Sequence, residues 1–272
     1  MKNCIAYLLF CTMAAASASE GVAPEIRGLD FQPKSMLVVG NSYMYYNCGI
    51  NGYLSGLIRE KVNPKIKTRI AAIGRSNMSQ QPIEELLDNS KLGSHSPQNG
   101  SLDKELLSKE IKKRESYELV LLQGSNRGPE DQARDRFYIK IHADAIRQNG
   151  GTPALIMTWV QKKKDAPAQQ IVADKVTEIG NENKMLVIPV GLAFENVEKK
   201  YPDLKLIMPD NTHPTALGSY LMAATIYAAV YKRNPLEAVN FSGGCEKPLD
   251  RKQREKICQT AWDTVKSWYR WQ

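Results

Sequence analysis

The sequence predicts an α/β protein, a three-layer α/β/α arrangement on a parallel, flavodoxin-like sheet of about five strands. Three observations carry that expectation. A short unbroken apolar run stands at 36–39, and mostly apolar stretches recur at 118–123, 153–159 and 185–190, as strands buried on both faces require. Longer segments with apolar residues at helical spacing lie between them. The first and third strands run directly into small, turn-forming residues, at Gly40-Asn41-Ser42 and at Gly124-Ser125-Asn126-Arg127-Gly128. Strands alternating with helices imply right-handed crossovers in a doubly wound sheet.

Residues 1–19 are expected to be a secretory leader and 20–272 a single domain. Lys2 supplies the positive start, residues 5–13 the apolar core, and Ala16-Ser17-Ala18 a small-residue cleavage site. The apolar stretch is too short to span a bilayer. Bulky Phe10 before Cys11 argues against a lipoprotein. The protein is therefore expected to be exported, periplasmic or extracellular.

The domain opens with the strand at 36–39 and its Gly40-Asn41-Ser42 turn. A helix follows, with Ile50, Tyr53, Leu54, Leu57 and Ile58 on one face. Residues 66–73 alternate apolar and polar, as an outer strand does, and end at Gly74-Arg75-Ser76-Asn77. A short helix over 82–87, a polar loop over 91–101 and a helix over 102–114 precede the strand at 118–123. Helix 131–148 stops at Gly150-Gly151, and strand 153–159, helix 166–183 and strand 185–190 follow in turn. A long apolar helix over 215–231 comes after Asp210-Asn211-Thr212-His213-Pro214. The tail, 252–271, carries Ile257, Ala261, Val265 and Trp268 on one face and is expected to dock as a last helix.

Composition narrows the function classes. The formal charge of +8 is spread along the chain, with one cluster at Lys162-Lys163-Lys164, and reads as a solvated surface. No basic and aromatic residues interleave, so nucleic acid is not an expected partner. No segment after the leader is apolar enough for membrane insertion. Three cysteines follow the leader, Cys48, Cys245 and Cys258. A Cys245–Cys258 disulfide is expected to close a short C-terminal loop, leaving Cys48 over, buried at the start of the first helix. No cysteine or histidine pattern fits a zinc site, and no metal is expected. Asn77, Asn99 and Asn240 head glycosylation sequons, which matter only in a eukaryotic source.

The chemistry concentrates in few residues. Of the three histidines, His95 lies in a polar loop and His142 within a helix, where a structural role is expected. His213 stands in a loop three residues after Asp210, close enough for the carboxylate to orient the ring and stabilise its imidazolium. Taken singly, each motif has an ordinary explanation: Ser42 as a helix N-cap, Asp210 and Thr212 as helix starters. Together they place a serine, a base and its orienting acid at one edge of the sheet. The Ser42 and Gly74 N–H groups and the Asn126 side-chain amide are available there as oxyanion donors. Met44 rules out the Gly-x-Ser-x-Gly elbow, and Gly40 lacks the partners of a dinucleotide-binding loop.

On these residues the chain resembles the SGNH hydrolase superfamily, the GDSL-type esterases. Gly40-Asn41-Ser42 is similar to the family's nucleophile block, Gly74 to its oxyanion glycine, Gly124-Ser125-Asn126 to its Gly-x-Asn block and Asp210–His213 to its Asp-x-x-His block. Two departures stand out: Asn41 replaces the usual aspartate, and Arg127 follows Asn126 where aspartate is commoner. The resemblance implies a serine ester hydrolase with Ser42 as nucleophile, His213 as base and Asp210 as its partner, needing no cofactor. Acetylated carbohydrate is the first expectation for its substrate. The alternatives are a lipase or thioesterase of the same fold, or a non-catalytic glycan- or acyl-binding protein. Arg75, Arg127 and Trp159 are expected to ring the mouth of the cleft, suiting a sugar or polar leaving group.

Overall fold

A computed structural model describes residues 21–88, 116–124, 129–243 and 247–272. The segments expected as a leader over 1–19, a loop over 91–101 and a helix over 102–114, and the sequon at Asn99, lie outside them.

Five parallel strands form one sheet: β1 (Ser35–Gly40), β2 (Lys67–Ala72), β3 (Leu119–Gln123), β4 (Thr152–Ile156) and β5 (Leu186–Ile188). Their order is β2-β1-β3-β4-β5, the flavodoxin-like order. β1 pairs with β2 from Ser35↔Lys67 to Gly40↔Ala72 and with β3 from Met36↔Leu119 to Val39↔Leu122. The chain leaves β1 toward β2 and later returns to β3 on the opposite side. Sheets of this kind open a crevice at the carboxyl ends of the two strands flanking that reversal.

Alternation along β1 builds both cores. Met36 and Val38 face one layer, Leu37 and Val39 the other. The first layer holds α2 (Gly49–Lys61), α6 (Val190–Lys200), α7 (Ala216–Tyr231) and α8 (Arg251–Tyr269). The second holds α3 (Ile83–Asp88), α4 (Pro129–Gln148) and α5 (Gln169–Glu182). A single turn, α1 (Ser42–Tyr45), sits between β1 and α2. From Leu217 to Tyr231 every residue of α7 is buried, because α2 and α8 cover it; hence its run is apolar on all sides rather than striped. No helix of the described residues is long and apolar enough to cross a membrane.

Two strands are shorter than the apolar runs suggest. β5 stops at Ile188 because Pro189 caps α6, which starts at Val190 without an intervening loop. β4 stops at Ile156, although Met157 N still donates to Ile188 O (3.0 Å); the chain then crosses the carboxyl edge of the sheet as an irregular segment up to Ala168.

The expected Cys245–Cys258 disulfide is not formed. Cys258 is a free thiol, fully buried where α8 docks on α7, with its sulfur 3.6 Å from the Tyr220 hydroxyl. The apolar face of α8 that holds Ile257, Cys258 and Ala261 is the face turned into the core, so the thiol points inward. Cys48, expected to be left over and buried, is instead exposed and disulfide-bonded.

Candidate active site

The site begins with the turn that ends β1. Gly40 is required by crowding: a Cβ there would lie 2.4 Å from Gln123 Oε1 and 2.8 Å from Met44 Cγ. Its carbonyl accepts from Ile73 N (3.1 Å) and from Gln81 Nε2 (2.7 Å). The next amide, Asn41 N, donates to Gln123 Oε1 (2.9 Å). Asn41, not Ser42, is the helix cap: its Oδ1 accepts from Tyr43 N (3.1 Å), while its Nδ2 donates to Ser76 O (3.0 Å) in the loop after β2. Ser42 is thereby released from capping and opens α1 with its hydroxyl 2.9 Å from His213 Nε2.

His213 arrives from the far end of the sheet on the loop between α6 and α7. That loop is pinned by the Ile207↔Pro214 bridge and by Met208 N donating to His213 O (2.8 Å). Asp210 organises its tip: Oδ1 accepts from Thr212 N and His213 N, both at 2.9 Å, and Oδ2 lies 2.7 Å from His213 Nδ1. A carboxylate only accepts, so Nδ1 carries a proton and the neutral ring's Nε2 is left to accept the Ser42 hydroxyl proton. Partial desolvation works against ionising Asp210, but the bonds from the His213 ring and the two amides outweigh it and hold the carboxyl down to about 2. The carboxyl therefore ionises well below the usual carboxylate range, although its side chain is 42% exposed.

The oxyanion groups are placed in part. Ser42 N and Gly74 N make no hydrogen bond with any described residue, so both donors remain available at the carboxyl ends of β1 and β2. Gly74 is buried and Arg75 exposed at the corner of a turn that Ser76 N closes on Ile73 O (3.2 Å), and Arg75 sits in the left-handed region at φ 60°. Asn126 and Arg127 lie outside the described residues.

Trp159 is not at the mouth of the cleft. It is 3% exposed, stacked between Tyr43 (centroids 4.5 Å, 7°) and Phe194 (4.2 Å, 11°), with Nε1 donating to Thr212 O (3.1 Å). Both ring faces are covered, leaving none for a sugar. Its work is to brace the histidine loop, helped by Lys162 N donating to Asn211 O (3.1 Å) and by Gln161 Nε2 donating to the Tyr43 hydroxyl (3.1 Å). His142 is structural, as expected: it is buried, with Nε2 2.7 Å from Met78 O, and desolvation lowers its pKa.

Sequence reasoning missed Tyr46. Its ring lies flat on the His213 imidazole, centroids 3.8 Å apart and planes 10° from parallel, while Tyr43 meets the same imidazole edge-on at 6.1 Å. The available sign was the aromatic pair three apart in the single turn after the serine, a spacing that puts both on one side of a helix. No cluster of three or more metal-binding side chains occurs among the described residues.

Known structures share this arrangement of strands and helices. A candidate SGNH hydrolase from Slackia heliotrinireducens aligns with a TM-score of 0.51 at 18% identity, over 72% of this chain and 97% of its own. A DUF4886 family protein from Bacteroides uniformis reaches a TM-score of 0.58 at 15% identity, over 85% and 94%. The acetyl xylan esterase AlAXEase gives 0.51 at 11% identity, over 72% and 99%. The chain has the SGNH-hydrolase fold. No family model and no curated protein matches the sequence itself. Within the SGNH-hydrolase fold of this chain, Ser42, Asp210 and His213 meet at the carboxyl edge of the sheet, beside the β1/β3 reversal.

Proposed function

We propose that this chain is an exported serine ester hydrolase. One observation carries the reading: the hydrogen-bonded chain Asp210–His213–Ser42, in which a loop that follows the edge strand β5 meets the serine after the interior strand β1 at the reversal point. Ser42 Oγ attacks the ester carbonyl as its proton passes to His213 Nε2. The resulting imidazolium is stabilised by Asp210 and returns the proton to the departing alcohol. Water, deprotonated by the same nitrogen, then attacks the acyl-enzyme, releasing the carboxylic acid and restoring the Ser42 hydroxyl. Ser42 N and Gly74 N, with the Asn126 amide as third donor, hold the negative oxygen of each tetrahedral intermediate. Arg75 and Arg127 stand at the mouth in this reading.

An acetyl ester of a carbohydrate is the substrate class we favour. Its support is the leader at 1–19, which would deliver the enzyme outside the cytoplasm, and the common fold with an acetyl xylan esterase. A lipase or thioesterase, or a binding protein that retains the fold, would answer the test differently. Wild type is expected to hydrolyse p-nitrophenyl acetate faster than long-chain esters, to deacetylate acetylated oligosaccharides, and to take up a fluorophosphonate on Ser42. Ser42→Ala is expected to stay folded, to lose labelling and to lose kcat by roughly 10³-fold or more. An inert wild type points to the binding protein, and a preference for long acyl chains to the lipase.

A further inference from the structure

We propose that Tyr46 is a positioning residue for His213, and that the left-handed segment after it holds that ring in place. The idea rests on the esterase reading and extends it to a residue outside the nucleophile, base and acid. Three sides of the imidazole are spoken for: Asp210 at Nδ1, Ser42 at Nε2 and the edge of Tyr43 against the ring. Tyr46 covers a face, in nearly parallel contact at 3.8 Å between centroids.

The backbone that presents Tyr46 is unusual. Asn47 (φ 49°), Cys48 (φ 73°) and Gly49 (φ 63°) are left-handed in succession, a conformation that glycine adopts freely, asparagine tolerates and cysteine disfavours. Residues held this way persist only where their surroundings over-determine them, and such sites cluster around function. Here the constraints are specific. Asn47 Nδ2 donates to Pro214 O (2.6 Å) and reaches the Met208 sulfur (3.3 Å), and the Ser219 hydroxyl donates to Tyr46 O (3.3 Å). Cys48 is tied down by its disulfide. Tyr46 and Asn47 thus grip His213 and Pro214 together, one by its ring and the other by its carbonyl.

The chemical consequence is selective. A phenol face attracts a cation more than a neutral ring. When His213 takes the Ser42 proton its ring becomes an imidazolium, so the contact strengthens on the way to the tetrahedral intermediates. An interaction that grows between ground state and transition state raises kcat and leaves KM alone.

The test replaces Tyr46 with Phe and then with mono-, tri- and pentafluorophenylalanine, rings of similar shape whose faces become progressively electron-poor. For p-nitrophenyl acetate, Tyr46→Phe is expected within about threefold of wild type. The pentafluoro ring is expected to lower kcat about tenfold, with KM constant and thermal midpoints close to that of the Phe variant. Fluorophosphonate labelling of Ser42 should slow in the same order. A flat kcat across the series makes Tyr46 packing only, and a change confined to KM makes it a substrate contact; either overturns the proposal. So does a Phe variant as poor as Tyr46→Leu, because the hydroxyl would then be the active part. An active wild type with a flat series sinks the clamp alone, whereas a wild type neither active nor labelled sinks the esterase reading and the clamp with it.

Discussion

The side-chain amide of Asn41 uses both of its ends, accepting from Tyr43 N through Oδ1 and donating to Ser76 O through Nδ2. Aspartate, the usual residue here in the family this chain resembles, keeps the first bond and loses the second. It would also set a negative oxygen against the Ser76 carbonyl, in a neighbourhood where Gln81 Nε2 already serves Gly40 O and the Ser76 hydroxyl. Losing a buried donor and leaving its acceptor unpaired costs about 1–3 kcal/mol. Asn41→Asp is therefore expected to lower both stability and kcat, the latter by about 10–100-fold, with little change in KM. Steady-state kinetics alongside a denaturant titration would check it, and a wild-type kcat in that variant would show that the Ser76 contact does not position Ser42. At this scale the sequence was legible where chemistry is scarce and local. Asp210 and His213 are three residues apart, and the other two histidines had better explanations. The spacing of Tyr43 and Tyr46 was visible, but the contact of Tyr46 with His213 was not, because it is set by the packing of α7 against α2, which no short window contains.

Trp159 shows the same boundary for elements. Its run, 153–159, is apolar but for Thr158, and apolarity says that a residue is buried somewhere without saying which wall it belongs to. The strand ends at Ile156, and the following residues turn across the sheet edge, slotting the indole between Tyr43 and Phe194. Trp159→Ala removes two stacks and the bond to Thr212 O. A loss of about 3–5 kcal/mol in unfolding free energy is expected, as for other large aromatic truncations in a core. Activity should fall by a similar factor on p-nitrophenyl acetate and on an acetylated oligosaccharide, since what loosens is the histidine loop. A loss confined to the oligosaccharide would return the indole to the substrate surface.

Across the whole molecule, the five strands, the helices between them and the parallel class follow from features any window can read: apolar runs, helical stripes, and turns after strands. Disulfide pairing does not, because it depends on which face of α8 meets α7. Ile257, Cys258 and Ala261 share the docked face, so the thiol is sealed in the core, and burial raises its pKa to about 12 despite its contacts with Tyr220 and Arg254. Alkylation needs an accessible thiolate. Cys258 lacks both until α8 leaves α7, and the Trp268 Nε1 and Tyr269 hydroxyl bonds to Val187 O make that departure expensive by tying α8 to β5. A maleimide at pH 8 should therefore leave Cys258 unmodified in the native protein. Its labelling rate should rise with denaturant in step with loss of far-UV ellipticity, because only the most global openings expose so deep a site. In unreduced, fully denatured protein, peptide mapping should find the adduct on Cys258. An unlabelled Cys258 there would mean that it is disulfide-bonded after all. Rapid labelling before any loss of ellipticity would mean that α8 detaches on its own.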